Sequence, residues 1–412
     1  MVYIISIDNK PLMPTKRFGK VRRLLKEKKA EVVNLEPFTI KLLYKTETEE
    51  VQDITLGIDA GSKTVGLSAG TDKEEVFSAE LILRDDIVKK LSDRREQRRT
   101  RRSRLKYRKA RFSNRVKTKK KGWLAPSVRH KIDSHLSIID KVYNILPVSK
   151  IIVEVAQFDI QKIKNPNIEG KDYQNGEQKN FWNVREFVLH RDNHKCQHCK
   201  GKKKDKILQV HHLESRKTGG NAPNNLVTLC STCHKDYHNG KTNLKIKRGK
   251  SFKDASFMGI MRWTFYDKLK EKYKDKVSLT YGYITKSKRI GLGLEKTHYN
   301  DAYCIANNLD SKKLDYYYLI KKVRCHNRQI HKSNKRKGNK LIKNQAPYKV
   351  KGFRLFDKVS YQNKNYFIFG RRQSGYFDIR DLQGNKVKNG SISYRKLKFI
   401  EEAKYYLVER IA

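Results

Sequence analysis

Short alternating runs of apolar and polar residues recur along the chain, and polar stretches divide them into groups. The first group reads as a strand over residues 2–7, a turn at Pro11-Leu-Met-Pro14, a basic helix over 15–29, and strands near 31–33 and 38–44. Next, Ile54-Thr-Leu-Gly-Ile-Asp59 alternates and Ala60-Gly-Ser62 turns the chain. Returning runs at 65–69 and 75–83 make residues 53–84 a β-meander. Residues 86–115 contain a long helix-compatible stretch without Gly or Pro, and 127–146 predicts a second helix. Residues 150–156 form a short apolar strand. The polar stretch 160–180 reads as a linker, 252–320 as mixed strand and helix, and the Lys/Arg/Asn-rich segment near 330–345 as another linker. Residues 350–412 show short alternating strands between Gly and Asn turns, the pattern of a small β-barrel. No repeat of fixed period runs through the chain.

At 412 residues the chain is too long for one ordinary core and suggests two to four domains. With 37% hydrophobic and 33% charged residues, there is apolar material for several small cores and not for one large one. The charge changes the picture most. Ninety-four Lys and Arg against 43 Asp and Glu give +51, and self-repulsion at that level opposes compaction unless a polyanion neutralises it. Phosphate is the obvious neutraliser, so the composition points to nucleic acid. A merely basic soluble protein is the plainer alternative, but here the cations cluster. Residues 94–115 hold 12 Lys or Arg among 22, enough to place cations on most faces of a helix. Such a helix cannot pack on an apolar core and needs phosphates on several sides. It could also be a solvated basic arm. No apolar run approaches the ~18 residues of a membrane span. The opening MVYIISIDNK has no basic lead and no small-residue cleavage site, so it reads as a strand and not as a signal peptide.

Six Cys are present. Cys304 and Cys325 are isolated. Cys196-Gln-His-Cys199 and Cys230-Ser-Thr-Cys233 are two C-x-x-C pairs with 30 residues between them, which suits four thiolates around one structural zinc in a reducing compartment. A small polar module needs such a staple. His211 and His212 end an apolar strand, while His234 and His238 stand one helical turn apart. Strand and helix together can present imidazoles to a single Mg2+ or similar ion that stabilises phosphate charge while a neutral imidazole takes a proton from water. The segment resembles an HNH nuclease, the ββα-metal motif, with His212, Asn225 and His234 as its three letters. The resemblance implies that His212 is the general base, that His211 and His234 hold the catalytic metal, and that Asn225 orients the motif. His238 is a further ligand or a phosphate contact. A zinc ribbon with incidental histidines is the plainer alternative.

Three dispersed carboxylates form the other candidate set. Asp59 ends a strand before a Gly-Ser turn. Glu154 lies inside the apolar Ile151-Ile-Val-Glu-Val-Ala156, where an ionised group is costly unless paired or metal-bound. Asp301 falls in the first turn of a helix, with His298 beside it. Singly, each has an ordinary reading as a turn residue, a cap or an ion-pair partner. Together, three converging carboxylates can hold two Mg2+ about 4 Å apart. Gly57-Ile-Asp59-Ala-Gly-Ser62-Lys-Thr-Val-Gly66 resembles the first RuvC motif. Ile152-Val-Glu154 with Phe158-Asp resembles the second, and His298-Tyr-Asn-Asp301-Ala the third. By this resemblance Asp59, Glu154 and Asp301 bind metal and His298 activates or places the water.

The order of these parts resembles the IscB family, transposon-encoded nucleases guided by an ωRNA (OMEGA systems) and related to the type II CRISPR effectors. The Pro11–Pro14 segment is similar to that family's PLMP domain. The implied fold class is α+β and multidomain: a split RNase H-like (RuvC) mixed sheet, an inserted Arg-rich bridge helix, an inserted HNH domain and a small C-terminal β-barrel-like domain. The expected boundaries are a PLMP-like domain at 1–52, RuvC parts at 53–85, 117–165 and 247–320, and the bridge helix at 86–116. A linker at 166–180, the HNH domain at 181–246, a basic linker at 321–349 and a β-rich domain at 350–412 complete them. In the bridge helix, Arg94, Arg95, Arg98, Arg99, Arg101, Arg102, Arg104, Arg108, Arg111 and Arg115 are expected to grip a structured guide RNA, since the guanidinium fork binds phosphate and stacks on bases. Arg371, Arg372 and Arg380 are candidates for reading guanine beside the target. The implied cofactors are two Mg2+ at the RuvC centre, one Mg2+ at HNH, and a structural Zn2+. The implied partners are guide RNA and double-stranded DNA, for a monomeric protein in a prokaryotic cytoplasmic ribonucleoprotein. A protein-guided homing or restriction HNH enzyme and a non-catalytic RNA-binding scaffold are the rival readings.

Overall fold

The computed structural model describes residues 1–103, 123–155, 181, 183–215, 221–249, 253–307, 310–324, 326, 347–387 and 391–412. The chain divides into two units. The first comprises Met1–Lys117, Ala125–Gln157 and Met261–Ala412, and the second Thr118–Leu124 and Phe158–Ile260.

The first unit opens with strands β1 (Val2–Ile5) and β2 (Pro11–Thr15), helix α1 (Phe18–Lys26), and strands β3 (Ala30–Asn34) and β4 (Thr39–Leu42). They form a sheet in the order β2-β1-β4-β3, closed over Val2, Val21, Ala30, Ile40 and Leu42. The Pro11–Pro14 segment is therefore a strand and not the expected turn. It lies at the sheet edge, the place where a residue lacking N–H is tolerated in a sheet.

Strands β5 (Ile54–Ala60), β6 (Thr64–Gly70) and β7 (Glu75–Ile82) are the expected meander. Helix α2 (Ile87–Ser103) begins the Arg-dense stretch, and α3 (Pro126–Tyr143) buries Ile132, His135, Ile138, Ile139 and Val142 at helical spacing. Strand β8 (Val148–Val155) pairs parallel with β5. The second unit then supplies α4 (Val184–Arg191), β9 (Leu208–His212), β10 (Leu226–Cys230) and α5 (Ser231–His238).

Helix α6 (Lys253–Tyr273) leads back to β11 (Val277–Tyr281), which pairs parallel with β8. Helices α7 (Gly282–Gly291) and α8 (His298–Ala306) and strand β12 (Tyr317–Lys322) follow. The tail forms β13 (Lys358–Tyr361), β14 (Lys364–Arg371), β15 (Tyr376–Arg380), β16 (Ile392–Ser393), β17 (Lys398–Glu401) and β18 (Tyr406–Ile411).

The central sheet has seven strands in the order β11-β8-β5-β6-β7-β12-β18, mixed in direction, with Asp59 on β5 and Glu154 on β8. Two features differ from expectation. The tail strands β13 to β17 make a five-stranded antiparallel sheet, β16-β15-β14-β13-β17, whose hydrogen bonding is an open ladder among the described residues and not a closed barrel. The last strand, β18, leaves that sheet and pairs with β12, covering what would otherwise be an exposed edge of the central sheet. Alternation identifies a strand but does not name its partner, so both features were beyond the pattern. The expected linker at 166–180 and most of that at 321–349 lie outside the described residues.

Candidate metal centres

The first centre grows from the register of the central sheet. Asp59 pairs with Glu154 on one side and Gly66 on the other, Glu154 pairs with Thr280, and Gly66 pairs with Glu80. Directly opposed residues on neighbouring strands share a face, so Glu154, Asp59 and Glu80 form an acidic row. Two glycines let α8 settle onto that face. A Cβ at Gly57 would lie 2.4 Å from the Ala302 carbonyl oxygen, and one at Gly66 would lie 1.9 Å from that of His298. Thr297 caps the helix by accepting from the Asn300 amide at 3.3 Å.

In this way the first turn of α8 delivers His298 and Asp301 to the acids. His298 Nδ1 lies 2.6 Å from Asp59 Oδ2, and that hydrogen bond raises the histidine pKa against the opposing effect of burial. Burial raises Asp301, and the Asp59 charge adds to it. Arg289 Nε stands 2.8 Å from Asp301 Oδ1 as an ion pair off hydrogen-bond geometry, so both buried atoms lack a hydrogen-bond partner. Burial also raises Glu154; a Thr285 hydrogen bond opposes it, and the charges of Asp59 and Asp301 reinforce it. Carboxylates crowded in this way favour protonation until a cation joins them. The three expected carboxylates are therefore gathered at one place, though their ligand atoms are spaced more widely than the 4.8 Å that unites the two tight clusters of the second unit. Glu80 is a further acid that the sequence reading missed. Its signal was the same as that of Glu154, a carboxylate interrupting an apolar strand.

The second unit carries those two clusters. Cys196, Cys199, Cys230 and Cys233 hold their sulfurs within 4.8 Å of one another. Zn–S bonds of about 2.3 Å in a tetrahedron give sulfur separations of about 3.8 Å, and Cys199 Sγ and Cys230 Sγ are 3.8 Å apart. Burial opposes ionisation of Cys199, but hydrogen bonds from the Lys203 and Gly201 amides and from Cys196 and Cys233 bring its thiol down to about 6. Burial drives Cys233 upward. Four thiols so placed fit a structural zinc.

The β9–β10 hairpin pairs His211 with Val227 and His212 with Leu226, and α5 starts immediately after β10. His211, His234 and His238 bring ring nitrogens within 4.8 Å of one another, with His234 and His238 centroids 4.6 Å apart. His211 is 6% exposed and its Nε2 is buried without a hydrogen-bond partner. Burial, then the neighbouring histidines, lowers its pKa to about 4. A neutral ring with an orphaned nitrogen, facing two more imidazoles, fits a divalent ion. Of the two roles expected for His238, a further ligand or a phosphate contact, its place beside His211 and His234 fits that of a ligand.

His212 turns to the other side of the strand, its Nε2 2.9 Å from Asn221 Oδ1. Asn225, fully buried, accepts from the Glu214 amide at 2.9 Å and donates to the Glu214 carbonyl at 3.1 Å, pinning the loop after β9.

Among the expected RNA-gripping arginines, Arg95 and Arg98 are exposed on α2 and Arg94 is half-exposed. The side chains of Arg99, Arg101 and Arg102 lie outside the described residues, as do Arg104, Arg108, Arg111 and Arg115 entirely. In the tail sheet, Arg371 donates to the carbonyls of Pro347, Tyr348 and Phe353, and Arg380 pairs with Asp378 at 2.6 Å. Both guanidinium groups are thus engaged within the protein, and the Arg372 guanidinium donates to Ser391 Oγ at 3.2 Å. Among the described residues, no helix is long and apolar enough to cross a membrane.

The RRXRR protein family matches residues 2–176, and the HNH endonuclease family matches residues 196–240. No curated protein matches the chain. Among solved structures, Streptococcus thermophilus Cas9 in complex with the AGAA PAM is 15% identical with a TM-score of 0.27, over 44% of this chain and 26% of that one. The same Cas9 with the AGGA PAM gives 15%, 0.28, 44% and 26%. The match thus spans about a quarter of the Cas9 chains. The chain thus carries an RRXRR region followed by an HNH endonuclease domain, an order of parts similar to that of an IscB/Cas9-like family.

Proposed function

We propose that the protein is an RNA-guided DNA endonuclease with two nuclease centres. The observation that carries this reading is the presence of two unlike metal-ligand sets in one chain: carboxylates with His298 on a mixed sheet, and three imidazoles beside a four-cysteine cluster. The first set supports a RuvC-like, RNase H-like centre, because its acids come from adjacent strands and from the helix lying on them. The second supports the HNH reading. Bound divalent ions would neutralise phosphate charge and polarise the water, two at Asp59, Glu154 and Asp301, and one at His211, His234 and His238. The chain's own part is proton handling and positioning. At the HNH centre, His212 takes the proton from water as its oxygen bonds to phosphorus, and the departing oxygen carries away the electrons of the broken bond. At the RuvC-like centre, His298, held by Asp59, places the water.

A charge of +51 requires a polyanion, and an Arg-lined α2 supports a bound guide RNA in the bridge-helix manner. In this reading RNA pairs with one DNA strand, HNH cuts the paired strand, and the RuvC-like centre cuts the displaced one. Two measurements test it. A discrete, tightly bound RNA accompanies the protein when it is purified from its host, and Asp59→Ala and His212→Ala each abolish cutting of a different strand of a labelled duplex. Full double-strand breaks from either single mutant refute the two-centre assignment.

A further inference from the structure

His212 ends β9 one residue after His211. Successive side chains on a strand leave on opposite faces, so His211 joins the imidazole cluster and His212 stands apart from it. Standing apart is not sufficient for a base. An imidazole swivels about two bonds, and each ring nitrogen accepts a proton in only one of the two neutral tautomers. Something must select the rotamer and the tautomer together. Among the described residues, the ring of His212 makes one hydrogen bond, from Nε2 to Asn221 Oδ1 at 2.9 Å. Asn225, the motif's own asparagine, has both arms of its carboxamide on the Glu214 backbone.

The geometry points to Asn221 as the positioning residue for His212, accepting from Nε2 and leaving Nδ1 bare to take the water proton. A carboxamide oxygen has lone pairs and no hydrogen, so opposite Nε2 it is satisfied only by the Nε2–H tautomer. The neutral ring then carries its single lone pair on Nδ1. A reversed amide would donate from its nitrogen, drive the proton to Nδ1, and leave no nitrogen free to accept. The loop behind Asn221 is braced. The Leu213 amide donates to the Asn225 carbonyl at 2.9 Å, and Arg191 donates to the Pro223 carbonyl at 2.7 Å. Asn221 itself is exposed and bears no load in the core of the unit. During the step, water oxygen bonds to phosphorus and its proton moves to Nδ1. The phosphorus–oxygen bond breaks with its electron pair on the departing oxygen, which takes a proton from solvent.

The inference rests on the HNH reading, and the experiment separates the two. Full-length protein with its bound RNA and Mg2+ is assayed for cutting of each strand of an end-labelled duplex. The variants are Asn221→Leu, similar in size without an acceptor, Asn221→Asp, which keeps one, and His212→Ala. The expected result is a loss of about 100-fold in paired-strand cutting for Asn221→Leu, the scale of a misplaced reacting group. Asn221→Asp stays within a few-fold of wild type, and zinc content and displaced-strand cutting are unchanged. In 15N-histidine-labelled protein, the neutral His212 ring carries its proton on Nε2 in the wild type and distributes it over both nitrogens in Asn221→Leu. Unchanged cutting by Asn221→Leu overturns the inference. So does an equal loss in Asn221→Asp, or a loss accompanied by zinc release, either of which makes Asn221 structural. If His212→Ala itself cuts the paired strand at the wild-type rate, the HNH reading has failed, and the inference fails with it.

Discussion

Each centre holds a histidine by one side-chain oxygen, but the oxygens differ. His298 is bonded to the carboxylate of Asp59, His212 to the carboxamide of Asn221. The carboxylate raises the histidine pKa, whereas a neutral amide orients the ring without adding charge. The scaffolds differ in the same sense. The first centre gathers residues 59, 154, 298 and 301 onto a sheet whose interior is apolar, with Leu56, Ile58, Leu67 and Ile151 fully buried. The second lies within residues 196–238 and has a small core in which the cysteines are themselves members. A centre resting on a large apolar sheet needs no metal to fold, while one built on a few aliphatics and four thiols does.

The largest effect expected from this contrast is that of zinc removal. Cys233→Ser, or zinc chelation followed by restoration of Mg2+, abolishes paired-strand cutting and unfolds the second unit, since structural zinc contributes on the order of 10 kcal/mol. Displaced-strand cutting and the main melting transition survive, as strand-resolved gels and calorimetry would record. Equal damage to both strands would erase the contrast. Next come the proton-handling residues, with His212→Ala and Asp59→Ala each lowering cutting of one strand by about 100-fold or more. Gly66→Ala addresses the sheet alone. Its methyl meets the His298 carbonyl and has no way round backbone, which costs about 3 kcal/mol in melting experiments and lowers displaced-strand cutting only. The smallest effect at neutral pH is that of His135. Its ring is fully buried beneath the Asp59 turn, between the carbonyls of Lys131 and Gly61, and burial lowers its pKa to about 4. The unfolded chain takes up a proton that the folded chain refuses, so stability is lost as pH falls from about 6.5 to about 4. The loss is roughly 3 kcal/mol at the acid end, and His135→Gln flattens that part of the curve.

Much of both centres was legible before any coordinates. The C-x-x-C spacing, the His211-His212 pair and the carboxylate within 151–156 are local patterns, each tied to a cost that only a metal or partner removes. The structure gathers the four cysteines into one cluster, joins His211 to His234 and His238 while His212 stands apart, and sets Glu154 opposite Asp59. What escaped was set by partners distant in sequence. Glu80 matters because Gly66 opens the space between it and Asp59. Asn221 sits in an Asn/Gly-rich loop where any polar residue looks alike. At Pro11–Pro14 the sequence is ambiguous, because proline marks both turns and sheet edges, and only pairing with the neighbouring strand makes it an edge strand.

One pairing links the two halves of the comparison in time. Strand β11 lies beside β8, joining residue 277 to residue 151, and the 158–260 part of the second unit is strung between them. As a slack loop, that excursion slows the search of β11 for its neighbour, by about a factor of three for every doubling of length. Once zinc has gathered the excursion into a compact body, the slack shortens. The carboxylate centre, which has no zinc ligand of its own, would then assemble sooner when the cysteines are filled, though its final stability would hardly change.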